Sequence, residues 1–154
     1  MIADKVFNLE SFKRQYKSII AISVSSTIKN LNWKVDFEEL NRQINWNNIL
    51  GIASILSHSD SSKHLEAALR IAQTCLNLNL DESKKNASVV ILENLTNIPA
   101  LKLAVKRNLI QENYEDELPL PFKLQSNRIK IENSILFGDQ IISLNRFQKK
   151  VFDS

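Results

Sequence analysis

The chain reads as a mainly α protein: an antiparallel helical bundle or α-hairpin stack, followed by a small C-terminal β-ribbon and a final helix. Two observations carry that expectation. Over residues 61–110 apolar side chains recur at spacings of three and four, the period of one helix face, in three successive segments. The 154 residues include only two glycines and three prolines, too few for the tight turns of a loop-rich or β-barrel fold. The length suits one domain or one domain with a small appendage. A net charge of +3 is mild and spread along the chain, whereas a dedicated nucleic-acid binder concentrates positive charge on one face.

Taken in order, residues 1–7 frame the first long helix. Asn8 is a candidate cap, and Leu9, Phe12, Tyr16, Ile19, Ile20, Val24 and Ile28 keep helical register. The run Ile19–Val24 is rich in β-branched residues, so this helix is expected to end early, near Ser25. A turn over Asn30–Lys34 should hold Trp33 as a partly buried anchor. Asp36 with Glu39 three residues later is a capping box. Beyond it, the Asn-rich centre around Trp46 predicts two short helices hinged near Asn45, with Gly51 permitting close packing.

Residues 61–110 then give three helices. Leu65, Ala68, Leu69, Ala72, Leu76 and Leu80 line the first, Ala87, Val90, Ile91 and Leu95 the second, and Leu101, Ala104, Val105 and Leu109 the third. Ser61 or Ser62 can cap the first, Asp81 the second and Asn97 the third, where Pro99 suits a first helical turn because its missing N–H would lack a partner anyway. Each helix can bury its stripe only against a neighbour, so they should stack as hairpins.

After residue 111 the composition changes. Glu112, Glu115, Asp116 and Glu117 precede Pro119 and Pro121, the mark of a helix stop and a solvated acidic linker over 112–126. From 127 to 154 the pattern turns toward period two. Arg128–Glu132 alternates, and Ile135–Ile142 reads as a strand broken at Gly138-Asp139. Asn145 can cap a last helix whose apolar stripe is Phe147, Val151 and Phe152. The chain stops inside that stripe, which suggests a piece cut from a longer protein.

Candidate chemistry is sparse. Cys75 lies among apolar residues, so it reads as a core thiol in a reducing compartment. His58 and His64 flank a serine-rich turn with Asp60 between them. No second cluster completes a metal site, so both are expected to be solvated. No leader peptide or bilayer-spanning run is visible, which makes the cytoplasm the default expectation and a membrane partner unexpected. Lys102, Lys106 and Arg107 share one helix face opposite an apolar stripe, where they could neutralise the phosphates of DNA or RNA. Arg146, Lys149 and Lys150 form a second small basic cluster.

Leu144-Asn-Arg-Phe147-Gln148, running on to Phe152, resembles the lead-in helix of the DEAD/DEAH-like helicases of superfamily 2, where a Leu-x-x-aromatic-Gln pattern precedes the first motor strand. The pattern HLEAALRIAQ followed by two more helices is also similar to the helical preambles of large bacterial helicases of antiviral defence. The resemblance implies an N-terminal helical accessory region, truncated at the first motor helix, that docks a partner subunit or guides a strand. It also implies that Gln148 and Phe147 meet the adenine of ATP once a motor is attached, with ATP and magnesium belonging to the full-length protein. The chain itself has no Gly-Lys-Ser/Thr phosphate loop and no Asp-Glu box, so no catalytic residue and no cofactor is assigned to it. The alternative is a stand-alone helical-repeat adaptor that binds a protein. Against it, residues 61–110 lack 34-residue self-similarity and the Trp, Gly and Tyr positions of a tetratricopeptide repeat.

Overall fold

A computed structural model describes residues 2–27 and 36–154. The turn expected to hold Trp33, and Ile28 before it, lie outside the described residues. Within the described residues ten helices and one two-stranded ribbon follow in order: α1 (Ile2–Phe7), α2 (Glu10–Thr27), α3 (Phe37–Arg42), α4 (Trp46–Ser57), α5 (Ser62–Asn77), α6 (Glu82–Asn94), α7 (Ile98–Lys106), α8 (Tyr114–Glu117), α9 (Leu120–Glu132), β1 (Ser134–Phe137), β2 (Gln140–Ser143) and α10 (Arg146–Asp153). The mainly α class, the small ribbon and the final helix stand as expected.

The core is built around α5. Its small side chains Ala67, Ala68 and Ala72 are fully buried beside Ile71 and Cys75, which lets α4, α6 and α2 approach it closely. Phe12 and Ile19 of α2, and Ile49, Ala53 and Leu56 of α4, close the other side. Phe12 stacks on Tyr16 with ring centroids 5.5 Å apart and meets Phe7 at the same distance. Helix α6 buries Val89, Val90, Ile91 and Leu92 in succession. It needs no single apolar stripe, because α5 and α4 cover one side while α7 and α9 cover others.

Asp36, Asn45, Asp81, Asn97 and Asn145 each accept from the backbone N–H three residues ahead, satisfying a donor that a helix start leaves free. Ser61 occupies the cap position of α5 but makes no side-chain cap bond. Both α6 and α7 end in Schellman motifs. Asn97 N–H donates to Leu92 O and Thr96 N–H to Glu93 O; Leu109 N–H donates to Ala104 O and Asn108 N–H to Val105 O. Asn79, Thr96 and Asn108, each just past a helix end, take the left-handed conformation with φ of 51°, 52° and 55°.

Several expectations are corrected. Asn8 does not start α2; its amide donates to Asp4 O and closes α1 instead. Helix α2 runs through its β-branched residues to Thr27 because Ile19 and Ile22 are buried against neighbouring helices. A Cβ on Gly51 would meet nothing within 4 Å, so that glycine serves no close packing. Arg128–Glu132 is helical, as the second half of α9. Its alternation misleads because only Ile129 is buried, against α6, while Ile131 is 75% exposed and Arg128 pairs with Glu132 one turn on. Residues 120–126 likewise belong to α9, and the acidic run contains the single turn α8.

Candidate functional site

The C-terminal segment is attached to the bundle by its polar side. β1 and β2 pair antiparallel from Ser134↔Ser143 to Phe137↔Gln140 around a turn in which Gly138 has φ 60°. So short a ribbon has no core of its own, and Leu136, Phe137 and Ile141 are each more than 70% exposed. Leu144 N–H then returns to Asn133 O at 2.8 Å, at the end of α9. A full capping box starts α10: Asn145 Oδ1 accepts from Gln148 N–H at 2.8 Å and Gln148 Oε1 accepts from Asn145 N–H at 2.9 Å.

Arg146 is the anchor. Its guanidinium donates to the carbonyls of Ser57 at 2.7 Å, His58 at 3.2 Å and Ser59 at 2.9 Å. These lie at the C-terminal end of α4, where unpaired carbonyls and the helix dipole both favour a cation. Its backbone N–H donates to Thr96 Oγ1 at 3.2 Å. Thr96 is a β-branched residue in the left-handed region, a strained placement, and it stands where α6 ends and α10 begins. Lys150 pairs with Asp60, and Arg146 also lies 3.6 Å from that carboxylate. These two cations hold Asp60 below the usual carboxylate range, and burial together with Arg146 lowers His58. Lys149 pairs with Asp153 at 3.0 Å. The second basic cluster is thus engaged within the chain.

The apolar stripe of α10 is largely uncovered. Phe147, Val151 and Phe152 are 75%, 59% and 61% exposed, so the stripe that predicted the helix makes no core. Between α10 and the joints of α5, α6 and α7 lies a groove of about 520 Å³, walled by Leu65, Leu95, Pro99, Asp60 and Phe147. Gln148 is exposed and its side-chain oxygen is committed to the cap.

Lys102, Lys106 and Arg107 are exposed on α7 and its C-cap and make no ion pair among the described residues. Lys106 and Arg107 stand roughly 12 Å along the helix axis from the groove-lining Pro99. Their place at a helix C-terminus is favourable in itself. None of the three lines the groove beside α10.

His64 corrects the reading of a solvated turn. It is 5% exposed, shares a 2.8 Å hydrogen bond through Nδ1 with Ser59 Oγ, and has Nε2 3.8 Å from Asp4 Oδ1. Ser59 is itself buried and its hydroxyl accepts from Ser61 N–H, so the trio fastens α1 to the α4–α5 turn. Among the described residues no group of three His, Cys, Asp or Glu could hold a metal, and no helix is long and apolar enough to cross a membrane. Cys75 is buried as expected, and burial pushes its thiol up to about 11.

Sequence reasoning missed Glu93. It is 6% exposed and neither carboxylate oxygen has a hydrogen-bond partner among the described residues. Burial raises its pKa. The available signal was a carboxylate directly after four apolar residues, Val89–Leu92, on a helix. Comparison with family models, with curated proteins and with solved structures finds no match to this chain.

Proposed function

We propose that this chain is a non-catalytic helical accessory module that docks a protein partner through its C-terminal ribbon and helix, as the accessory region of an ATP-dependent nucleic-acid helicase. The observation that carries this reading is the orientation of α10. Arg146 and Lys150 pin its polar side to the bundle, while Phe147, Val151 and Phe152 are exposed, as are Leu136, Phe137 and Ile141 of the ribbon. An amphipathic helix that hides its charges and shows its aromatic rings is arranged for contact with another apolar surface. In the motor reading that surface is the motor's own sheet, and ATP and magnesium chemistry stays with the motor. The basic face of α7 would guide DNA or RNA toward it.

The test is the reading frame after codon 154. A Gly-Lys-Ser/Thr loop within a few tens of codons is the expected result. A stop codon would overturn the motor reading and leave the adaptor, whose partner would meet the groove beside α10 and the α5–α7 hairpins.

A further inference from the structure

The groove beside α10 combines two kinds of surface. Leu65 and Leu95 are half-buried in its lining, and Pro99 and Phe147 are exposed there. Its volume of about 520 Å³ is that of a site able to take large side chains or a small molecule, and it is open rather than enclosed.

The polar part of the lining is cationic in balance. Asp60 is its one carboxylate and meets two cations, since Lys150 pairs with it and Arg146 lies 3.6 Å away. Arg146 spends its donors on the carbonyls of Ser57, His58 and Ser59. The open charge therefore rests on Lys150, whose side chain is 59% exposed. An ammonium has three N–H donors, and Asp60 Oδ1 accepts from it. Asn97 adds a donor to the same lining. Its Oδ1 accepts from Ala100 N–H, and its amide nitrogen has no partner among the described residues.

Spare donors beside apolar surface call for an acceptor carried next to an apolar body. A nucleic-acid strand fits poorly, because it is held by several cations and stacks successive bases on several rings. This groove offers one open charge and one ring. A single carboxylate beside a large apolar side chain matches both surfaces.

We propose that the groove seats a short acidic segment of a partner protein. A large apolar side chain of that segment lies between Leu65, Leu95, Pro99 and Phe147, and a neighbouring Asp or Glu carboxylate pairs with Lys150. The proposal rests on the reading of this chain as a protein-docking module and names the chemistry of the contact.

The experiment follows the backbone amides of the whole chain by NMR while acetyl-Glu-Leu-Phe-Glu-amide is added. Saturable shifts are expected at Asp60, Leu65, Leu95, Phe147 and Lys150. Acetyl-Gln-Leu-Phe-Gln-amide should bind about three-fold more weakly, the worth of one exposed ion pair. Acetyl-Glu-Ala-Ala-Glu-amide, without the apolar anchors, should bind roughly ten-fold more weakly or worse. These comparisons need no variant. Lys150→Gln should then erase the difference between the Glu and Gln peptides. No saturable shift in the groove, equal affinity of those two peptides, or a preference that survives Lys150→Gln would each overturn the proposal. Displacement of the peptide by a mixed-sequence DNA duplex would overturn it in favour of phosphates. Groove shifts that grow with protein concentration alone would overturn it in favour of a second copy of the chain. Shifts confined to Val151, Phe152 and the ribbon would overturn the groove and leave the docking reading standing.

Discussion

Arg146 Nη1 donates to the carbonyl oxygen of Ser57 at 2.7 Å, joining the first residue of α10 to the last residue of α4 across 89 positions of chain. With two further carbonyls on the same guanidinium, this one side chain fixes where α10 lies. Removing it leaves those carbonyls to water and frees the helix, without touching the core. Arg146→Ala is therefore expected to cost the local docking about 2 kcal/mol. That corresponds to roughly 30-fold faster exchange of the α10 amides by local opening. Arg146→Lys keeps the charge but not the fork and should recover only part of the protection. Hydrogen exchange resolved over residues 146–153 checks this, and unchanged exchange would mean that Lys150–Asp60 alone holds the helix.

The exposed stripe makes the opposite kind of prediction. Phe147, Val151 and Phe152 bury little within the chain, so replacing all three by serine should change global stability by no more than ~0.5 kcal/mol. Binding of a hydrophobic dye should fall. Chemical denaturation and dye fluorescence on the triple variant separate this from a packing role, which would instead lower the denaturation midpoint clearly.

Much of this arrangement was legible beforehand, for identifiable reasons. The three-and-four spacing over 61–110 yields α5, α6 and α7, and Asp36, Asn45, Asp81, Asn97 and Asn145 mark helix starts through short-range chemistry that needs no tertiary knowledge. Gly138-Asp139 likewise locates the ribbon turn. What misled was pattern without partner. Arg128–Glu132 alternates, yet five residues are too few to separate a strand from a helix that buries one isoleucine. The stripe of α10 predicts the helix correctly but not its orientation, because Arg146 reaches carbonyls that only the folded chain assembles. His64 was illegible for the same reason, since its burial depends on α1 packing against the α4–α5 turn, and Glu93 carried only the weak signal of a carboxylate after four apolar residues.

The basic face of α7 is testable without knowing the nucleic acid. Lys102, Lys106 and Arg107 are exposed and unpaired among the described residues, so replacing them by alanine should leave the melting curve in place. If they meet phosphates, affinity for a mixed-sequence duplex should weaken evenly across sequences. The dependence of log K on log salt should also flatten by about 0.9 for each phosphate that is no longer neutralised. Fluorescence anisotropy at several salt concentrations reads both effects. Identical binding by the variant would show that the three cations are a solvated helix face and no more.

Glu93 sets the clearest pH prediction. Burial raises its pKa above the usual value of 4.5, with Ser126 and then Lys130 opposing that rise. The folded state therefore holds this proton more tightly than the unfolded chain does. Its contribution to stability is fully present below pH 4.5 and is lost as pH rises through the folded-state pKa. Asp60 and Asp81, whose pKa values are lowered by Lys150 and Lys84, slope the other way in acid, so the wild-type profile alone is ambiguous. The difference between Glu93→Gln and wild type isolates the group. The variant should be more stable at neutral pH, because it removes a buried charge, and the gain should vanish toward pH 4.5. Urea denaturation of both proteins across that interval measures it. A gain that is constant with pH would mean Glu93 is neutral throughout. A loss at neutral pH would mean that its carboxylate is satisfied within the fold.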